Sequence, residues 1–231
     1  MLAIDPLLDG GLLWTPRFIG IAKGLFIFGL GLVSTMLMSW YERKVVSGMH
    51  NRIGPNKAGP WGILQSLADG IKAFFKEDLL PTRADRIVFR LAPFLSFVPG
   101  FLIWSVIPLG GDFSDGQDGT IEIFGEVTRV QLADPPIGIL LVLALSSIAV
   151  YGIMLAGWAS GSKYPLLGSV RASAQMISYE AALGLSLAAV LLSSGTLSTA
   201  GIVQGQDSFV DWNVISTGIV PFVIFLIATT A

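Results

Sequence analysis

Residues 41–81 read YERKVVSGMHNRIGPNKAGPWGILQSLADGIKAFFKEDLLP. This stretch decides the fold because it sits between two long apolar runs and is itself basic and punctuated. Within it, Ile63, Leu64, Leu67, Ile71, Phe74 and Phe75 recur at the i, i+3, i+4, i+7 spacing of one helix face. Gln65, Asp69, Lys72 and Lys76 form the opposite stripe. The pattern predicts an amphipathic helix over 62–76, with Pro60 ahead of it and Pro81 beyond it. Asp69 and Lys72, at i,i+3, are placed to pair. Four polar residues on one stripe make this helix an element that lies in the membrane interface and does not cross it. Ahead of it, Arg52-Ile53-Gly54-Pro55-Asn56-Lys57 and Gly59-Pro60 predict a tight turn. The P-loop spacing is absent from that segment.

Working outward, the 231-residue chain is 53% hydrophobic and 13% charged. A soluble domain carries about 25% charged residues, so this composition indicates an integral membrane protein. A membrane crossing takes about 20 apolar residues. Five segments meet that length: 18–40, 91–109, 136–159, 177–203 and 212–231. Lys23 interrupts the first near its outer end, where a lysine can snorkel to water. Pro99-Gly100 is expected to bend the second. The last apolar run reaches Ala231 with no charged flank, an expectation that more chain follows. Asp5 and Asp9, without a basic n-region, argue against a cleaved signal peptide.

Lysine and arginine set the orientation. Residues 41–90 hold Arg43, Lys44, Arg52, Lys57, Lys72, Lys76, Arg83, Arg86 and Arg90; residues 160–176 hold Lys163 and Arg171. The other side holds Arg17 and Arg129 and is rich in carboxylates. Loops 41–90 and 160–176 are therefore expected in the cytoplasm, with the N-terminus outside. In the outer loop 110–135, two Gly/Asp-rich turn segments flank alternating apolar positions at Ile121, Ile123, Val127 and Val130, which predicts a short hairpin. The Asp-Gly repeats lack the carboxylate ladder of a calcium loop. The fold class is an all-α polytopic membrane protein with five transmembrane helices in this segment, an interfacial amphipathic helix and a short outer hairpin.

With no cysteine and His50 as the single histidine, the chain lacks the residues for thiolate, iron–sulfur or Cys/His zinc chemistry. A second polar feature is carried by the run 168–180. Arg171, Gln175 and Tyr179 fall at successive i+4 steps, and Glu180 enters the apolar segment behind them. A carboxylate at that depth is costly against lipid and marks a functional group by default. The reading is a proton-exchanging side chain. The alternative is a carboxylate permanently paired with Arg171 or Lys163.

Long sequence blocks carry a resemblance. YERK at 41–44, NRIGPNK at 51–57, SLADGIKAFFKED at 66–78, LAP at 91–93, AVYG at 149–152, LAGWAS at 155–160, KYPLLGSVRASAQMISYE at 163–180 and LGLSL at 183–187 resemble the quinone-chamber membrane component, the H subunit, of the proton-pumping NADH:quinone oxidoreductases, respiratory complex I. The resemblance covers the whole chain in order. It implies eight transmembrane helices in the family and a chamber, shared with the peripheral arm, where ubiquinone or menaquinone is reduced. It implies that quinone is the substrate and that this chain binds no cofactor, with NADH, FMN and iron–sulfur clusters in partner subunits. The implied partners are the peripheral-arm quinone-site and iron–sulfur subunits, small membrane-arm subunits, and lipid, with no nucleic acid. The implied location is the bacterial cell membrane or the inner mitochondrial membrane. Carried over residue by residue, it makes Glu42, Arg43, Arg52, Asp69, Lys72 and Phe75 candidates for the quinone chamber. Arg171, Tyr179 and Glu180 become candidates for the start of a proton route. Two alternatives stay open: the equivalent membrane subunit of an energy-converting hydrogenase, and a passive membrane anchor. A self-contained transporter would need an inverted repeat, and the sequence contains no second copy of 41–81.

Overall fold

The structure is a computed structural model that describes residues 5, 7, 14–113, 119–123, 125–206 and 208–230. The Gly/Asp turn at 114–118, Asp9, Asp207 and Ala231 lie outside the described residues. The chain divides into two units, Leu25–Leu80 on one hand and Met1–Gly24 with Pro81–Ala231 on the other. Eight α-helices of the described residues are used below: α1 Trp14–Met49, α2 Gln65–Phe74, α3 Arg86–Trp104, α4 Gly138–Ala159, α5 Lys163–Ser194, α6 Thr199–Gln204, α7 Asn213–Ser216 and α8 Ile219–Thr230. Helices α1, α3, α4 and α5 are long and apolar enough to cross a membrane. The protein is a multi-pass, mainly helical membrane protein.

Helix boundaries differ from the sequence expectation in four of the apolar segments. First, α1 continues past 40 to Met49, so Glu42 and Arg43 ride on the helix and not on a loop. Second, α3 opens at Arg86, five positions before 91 in the sequence. The Asp85 carboxylate accepts from the Ile87 and Val88 amides at 3.1 and 3.3 Å, satisfying donors that every helix start leaves open. Pro93 and Pro99 lie within α3, while Pro108 lies beyond its end. Third, α5 begins at Lys163 and stops at Ser194, not at 177 and 203. Gly195 takes the left-handed conformation (φ 67°) that ends a helix, and its amide closes on the Leu191 carbonyl. Fourth, 212–231 is not one helix. Gly218 between them takes the left-handed conformation (φ 85°), and Pro221 has no N–H to offer the carbonyl four residues back, so the short α7 and α8 stay separate. The described part of α8 is a short apolar helix.

In the unit containing Pro81–Ala231, α3 packs on α4, α4 on α5, and α5 on α8. The α3–α4 seam is narrow. At Gly152 an added Cβ would run into the Ser96 hydroxyl and lie 2.6 Å from the Ala92 carbonyl oxygen. Small residues let membrane helices approach this closely. Ser96 donates across the seam to the Ala149 carbonyl at 3.0 Å. The loop end of the seam is tied by the Asp85 amide, which donates to the Ala159 carbonyl at 2.9 Å.

The hairpin is present: β1 Thr120–Ile123 pairs antiparallel with β2 Glu126–Arg129, Ile121 opposite Thr128 and Ile123 opposite Glu126. It carries a polar cluster. Lys23 is ion-paired with Asp5, both side chains about nine-tenths buried, and donates to the Thr128 hydroxyl at 3.1 Å and the Arg129 carbonyl at 3.2 Å. Lys23 therefore does not snorkel to water. Its charge is matched inside the protein, which buried ammonium groups require. Nearby, Arg129 faces Asp134 at 3.5 Å, and Asp134 accepts from the Ser198 hydroxyl at 2.8 Å. The Gln131 amide donates to the Val106 carbonyl and to Thr199 Oγ1, each at 2.8 Å.

Candidate functional site

The unit Leu25–Leu80 holds the first polar site. Residues 50–64 fold back on themselves ahead of α2. Gly62 has φ 78°, and a Cβ there would run into the Pro55 carbonyl, so this crossing of the chain needs glycine. A 3-10 turn at Pro60–Gly62 precedes α2, and the left-handed Gly62 is why the helix starts at Gln65 and not at 62. The Trp40 indole donates to the Trp61 carbonyl at 3.1 Å, tying this turn to α1.

Arg43, Asp69 and Lys72 form one ionic group. Arg43 Nη1 lies 2.6 Å from Asp69 Oδ2, Gln65 Nε2 donates to Asp69 Oδ1 at 3.2 Å, and Lys72 Nζ stands 3.9 Å away. The expected Asp69–Lys72 pair is thus the looser of two, and the closer partner comes from α1. Glu42, Arg43 and Arg52 line an open cleft of about 600 Å³ together with Ser39, Val46, Ser47 and Pro55. The geometry therefore gathers five of the six expected chamber residues into two touching groups that share Arg43. Phe75 stands apart at the end of α2, 89% exposed beside the 91% exposed Phe74. Leu64, Leu67 and Ile71 are exposed on the same helix. This unpaired apolar face opposite Asp69 is what an interfacial helix presents to lipid.

The Arg43 guanidinium beside Asp69 holds its carboxyl below the ordinary carboxylate range, and the Gln65 amide acts in the same direction. A carboxylate lowered in this way contributes stability at pH values above its unfolded value. That contribution is lost as pH falls through the lowered folded value. The α1–α2 link accordingly persists through neutral and mildly acidic pH and opens only below the usual carboxylate range. In the full-length chain in lipid nanodiscs, Arg43→Ala should move the Asp69 titration up toward that range. Carbon-13 NMR of labelled aspartate reads this directly. An unchanged midpoint would show that Arg43 does not hold Asp69.

The second polar site is in the other unit. On α5, Gln175 Nε2 donates to the Tyr179 hydroxyl at 3.0 Å, so the predicted i+4 stripe is real there. Arg171 is exposed on the same helix. Glu180 points elsewhere. Its Oε1 accepts from Ser146 Oγ at 2.5 Å and from Ser147 Oγ at 2.6 Å, both on α4. Among the described residues it forms no ion pair, so neither Arg171 nor Lys163 fixes its charge. Sequence reasoning missed both serines. Their signal is a Ser-Ser pair in an otherwise apolar helix without any charge.

The comparisons with known proteins bear on these two sites. The family model described as NADH dehydrogenase matches residues 22–231. The chain belongs to that family. Members named as the H subunit of NADH-quinone oxidoreductase are similar to it along most of its length. That of Frankia alni is 52% identical over 192 residues, covering 83% of this chain and 41% of the relative. That of Streptomyces avermitilis is 47% identical over 212 residues, 92% of this chain and 45% of the relative. That of Frankia casuarinae is 51% identical over 192 residues, 83% of this chain and 41% of the relative. The chain thus spans less than half the length of these curated relatives. Both polar sites of this NADH dehydrogenase family member lie inside the matched region.

Proposed function

We propose that the protein is a membrane subunit of an NADH:quinone oxidoreductase, in which it supplies part of a quinone chamber and helps couple quinone reduction to proton translocation. One observation carries the reading: an open cleft lined by Glu42, Arg43 and Arg52, joined through Arg43–Asp69 to a helix whose apolar face is bare. A quinone has an apolar tail and a polar headgroup with two carbonyl acceptors. The exposed Leu67, Ile71, Phe74 and Phe75 suit the tail at the membrane surface. The guanidinium groups of Arg43 and Arg52 suit the headgroup, because they donate hydrogen bonds and stabilise negative charge as it develops on reduction. Glu42 sits beside them as a group able to exchange a proton with the reduced headgroup. Electrons come from NADH through flavin and iron–sulfur clusters held by partner subunits of the peripheral arm. Small membrane-arm subunits and lipid complete the surroundings.

In this reading 41–90 and 160–176 face the cytoplasm and the N-terminus faces outward, as the lysine and arginine asymmetry supports. Arg171, Tyr179 and Glu180 mark the start of a proton route. Reduction of the quinone changes the local charge, and Glu180 answers by exchanging a proton. The chamber is tested with a photoreactive quinone analogue on the assembled complex. Labelled peptides should map within residues 42–76. Labelling confined to the outer loops would overturn the assignment.

A further inference from the structure

The two serines that hold Glu180 have a property that an arginine or lysine would not. Ser146 Oγ lies 2.5 Å from Glu180 Oε1 and 2.9 Å from the Leu143 carbonyl oxygen. Ser147 Oγ lies 2.6 Å from the same Oε1 and 3.0 Å from the same Leu143 oxygen. A hydroxyl has one proton to donate and two lone pairs to receive with. Each serine therefore faces two acceptors and can serve only one at a time.

We propose that Ser146 and Ser147 are positioning residues for Glu180, a pair of rotating hydroxyls that turn between the Leu143 carbonyl and the Glu180 carboxyl as that carboxyl loses and gains its proton. When Glu180 is ionised, both hydroxyls donate to Oε1, and the short distances are those of charge-assisted bonds. When Glu180 takes up a proton, its new O–H donates to a serine oxygen. The displaced serine proton turns to the Leu143 carbonyl, which lies within bonding distance in the same geometry. One proton enters and no other covalent bond changes, because each serine keeps its own proton. In each state both serine hydroxyls have an acceptor within reach, and no helix has to move between them. An ion pair would favour the charged state alone; neutral donors accommodate both. This rests on the reading of Glu180 as a proton-exchanging group.

The surroundings fit such a switch. Helix α5 packs against α4, α7 and α8. The titratable side chain of α4 is Tyr151, which is exposed, and α7 and α8 contain none. On α5 itself Tyr179 is engaged with Gln175. Alanine at either serine keeps the helix, since it is the best helix former.

The test uses the assembled complex with the full-length chain in proteoliposomes. Redox-triggered infrared difference spectra locate the carboxyl C=O band that disappears in Glu180→Gln. In Ser146→Ala/Ser147→Ala that band should move to higher frequency, as the carboxyl O–H loses the serine oxygen it donates to. The rate of proton translocation should fall roughly tenfold, the scale of losing a hydrogen bond to an ionised group. Threonine at both positions should restore both readouts. Should the double variant fail to assemble, each single alanine variant should show a smaller shift of the same sign. A Glu180 band that ignores both serine substitutions overturns this inference and leaves the proton role standing. A complex in which no Glu180 band exists and Glu180→Gln pumps normally overturns both.

Discussion

Glu180→Gln should slow proton translocation by at least roughly tenfold in the assembled complex, the rate effect of about 1.4 kcal/mol, with quinone reduction slowed as well. The substitution is nearly isosteric. Glutamine keeps a carbonyl oxygen for the Ser146 and Ser147 hydroxyls, so the α4–α5 contact should survive. It removes the group that, in the proposed route, would bind and release a proton at constant geometry. The Glu180 carboxyl is held by neutral hydroxyls and by no ion pair among the described residues, so no cation ties it to one charge state. Proton uptake followed by a pH-sensitive dye in proteoliposomes, alongside NADH oxidation, separates coupling from turnover. Normal stoichiometry at a normal rate would remove Glu180 from the proton route.

Gly152→Leu should cost more than about 3 kcal/mol of stability and leave little assembled protein in the membrane, because overpacking that cannot relax exceeds the usual range of about 1–3 kcal/mol. Besides the Ser96 hydroxyl, two neighbours of an added Cβ at Gly152 are backbone: the Ala92 carbonyl oxygen at 2.6 Å and the Ser96 amide nitrogen at 2.8 Å. Neither can swing aside as a flexible side chain would. The two helices must separate, and separation also breaks the Ser96–Ala149 bond. Gly70 offers the control, since it lies on α2 with nothing near an added Cβ. Gly70→Ala should be tolerated. Immunoblots of membrane fractions and thermal melts in detergent measure both. Equal stability of the two variants would refute the close α3–α4 contact.

Much of this architecture is written in hydropathy. Four long apolar helices follow from the length of their apolar runs, and the alternating hairpin and the one-faced α2 from periodicity. The boundaries are less legible. Glu42 and Arg43 read as loop because charge after an apolar run marks the membrane edge, yet a helix can continue past that edge into water, as α1 does to Met49. The 163–176 run reads as loop for the same reason, although its i+4 stripe already has helical spacing. The site is legible where its residues are charged. Arg43, Asp69 and Glu180 announce themselves, whereas Ser146 and Ser147 do not, because a hydroxyl is cheap in a membrane helix and often bonds its own backbone. The closer partner of Asp69 escapes the sequence because only near neighbours can be ranked from spacing, and Arg43 lies 26 residues away.

The matching of Lys23 inside the protein has a consequence for biogenesis. Thr128, one of its acceptors, lies 105 residues further along the chain. At ordinary synthesis rates of about 5–20 residues per second, that is a delay of roughly 5–20 seconds. The first apolar helix is therefore delivered to the bilayer with a lysine whose partners are only partly made. Asp5, synthesised earlier, is the counter-ion available during that interval. The hairpin arrives last and completes the set, so the N-terminal acid serves first as an escort for the nascent helix and only later as a fixed part of the folded protein.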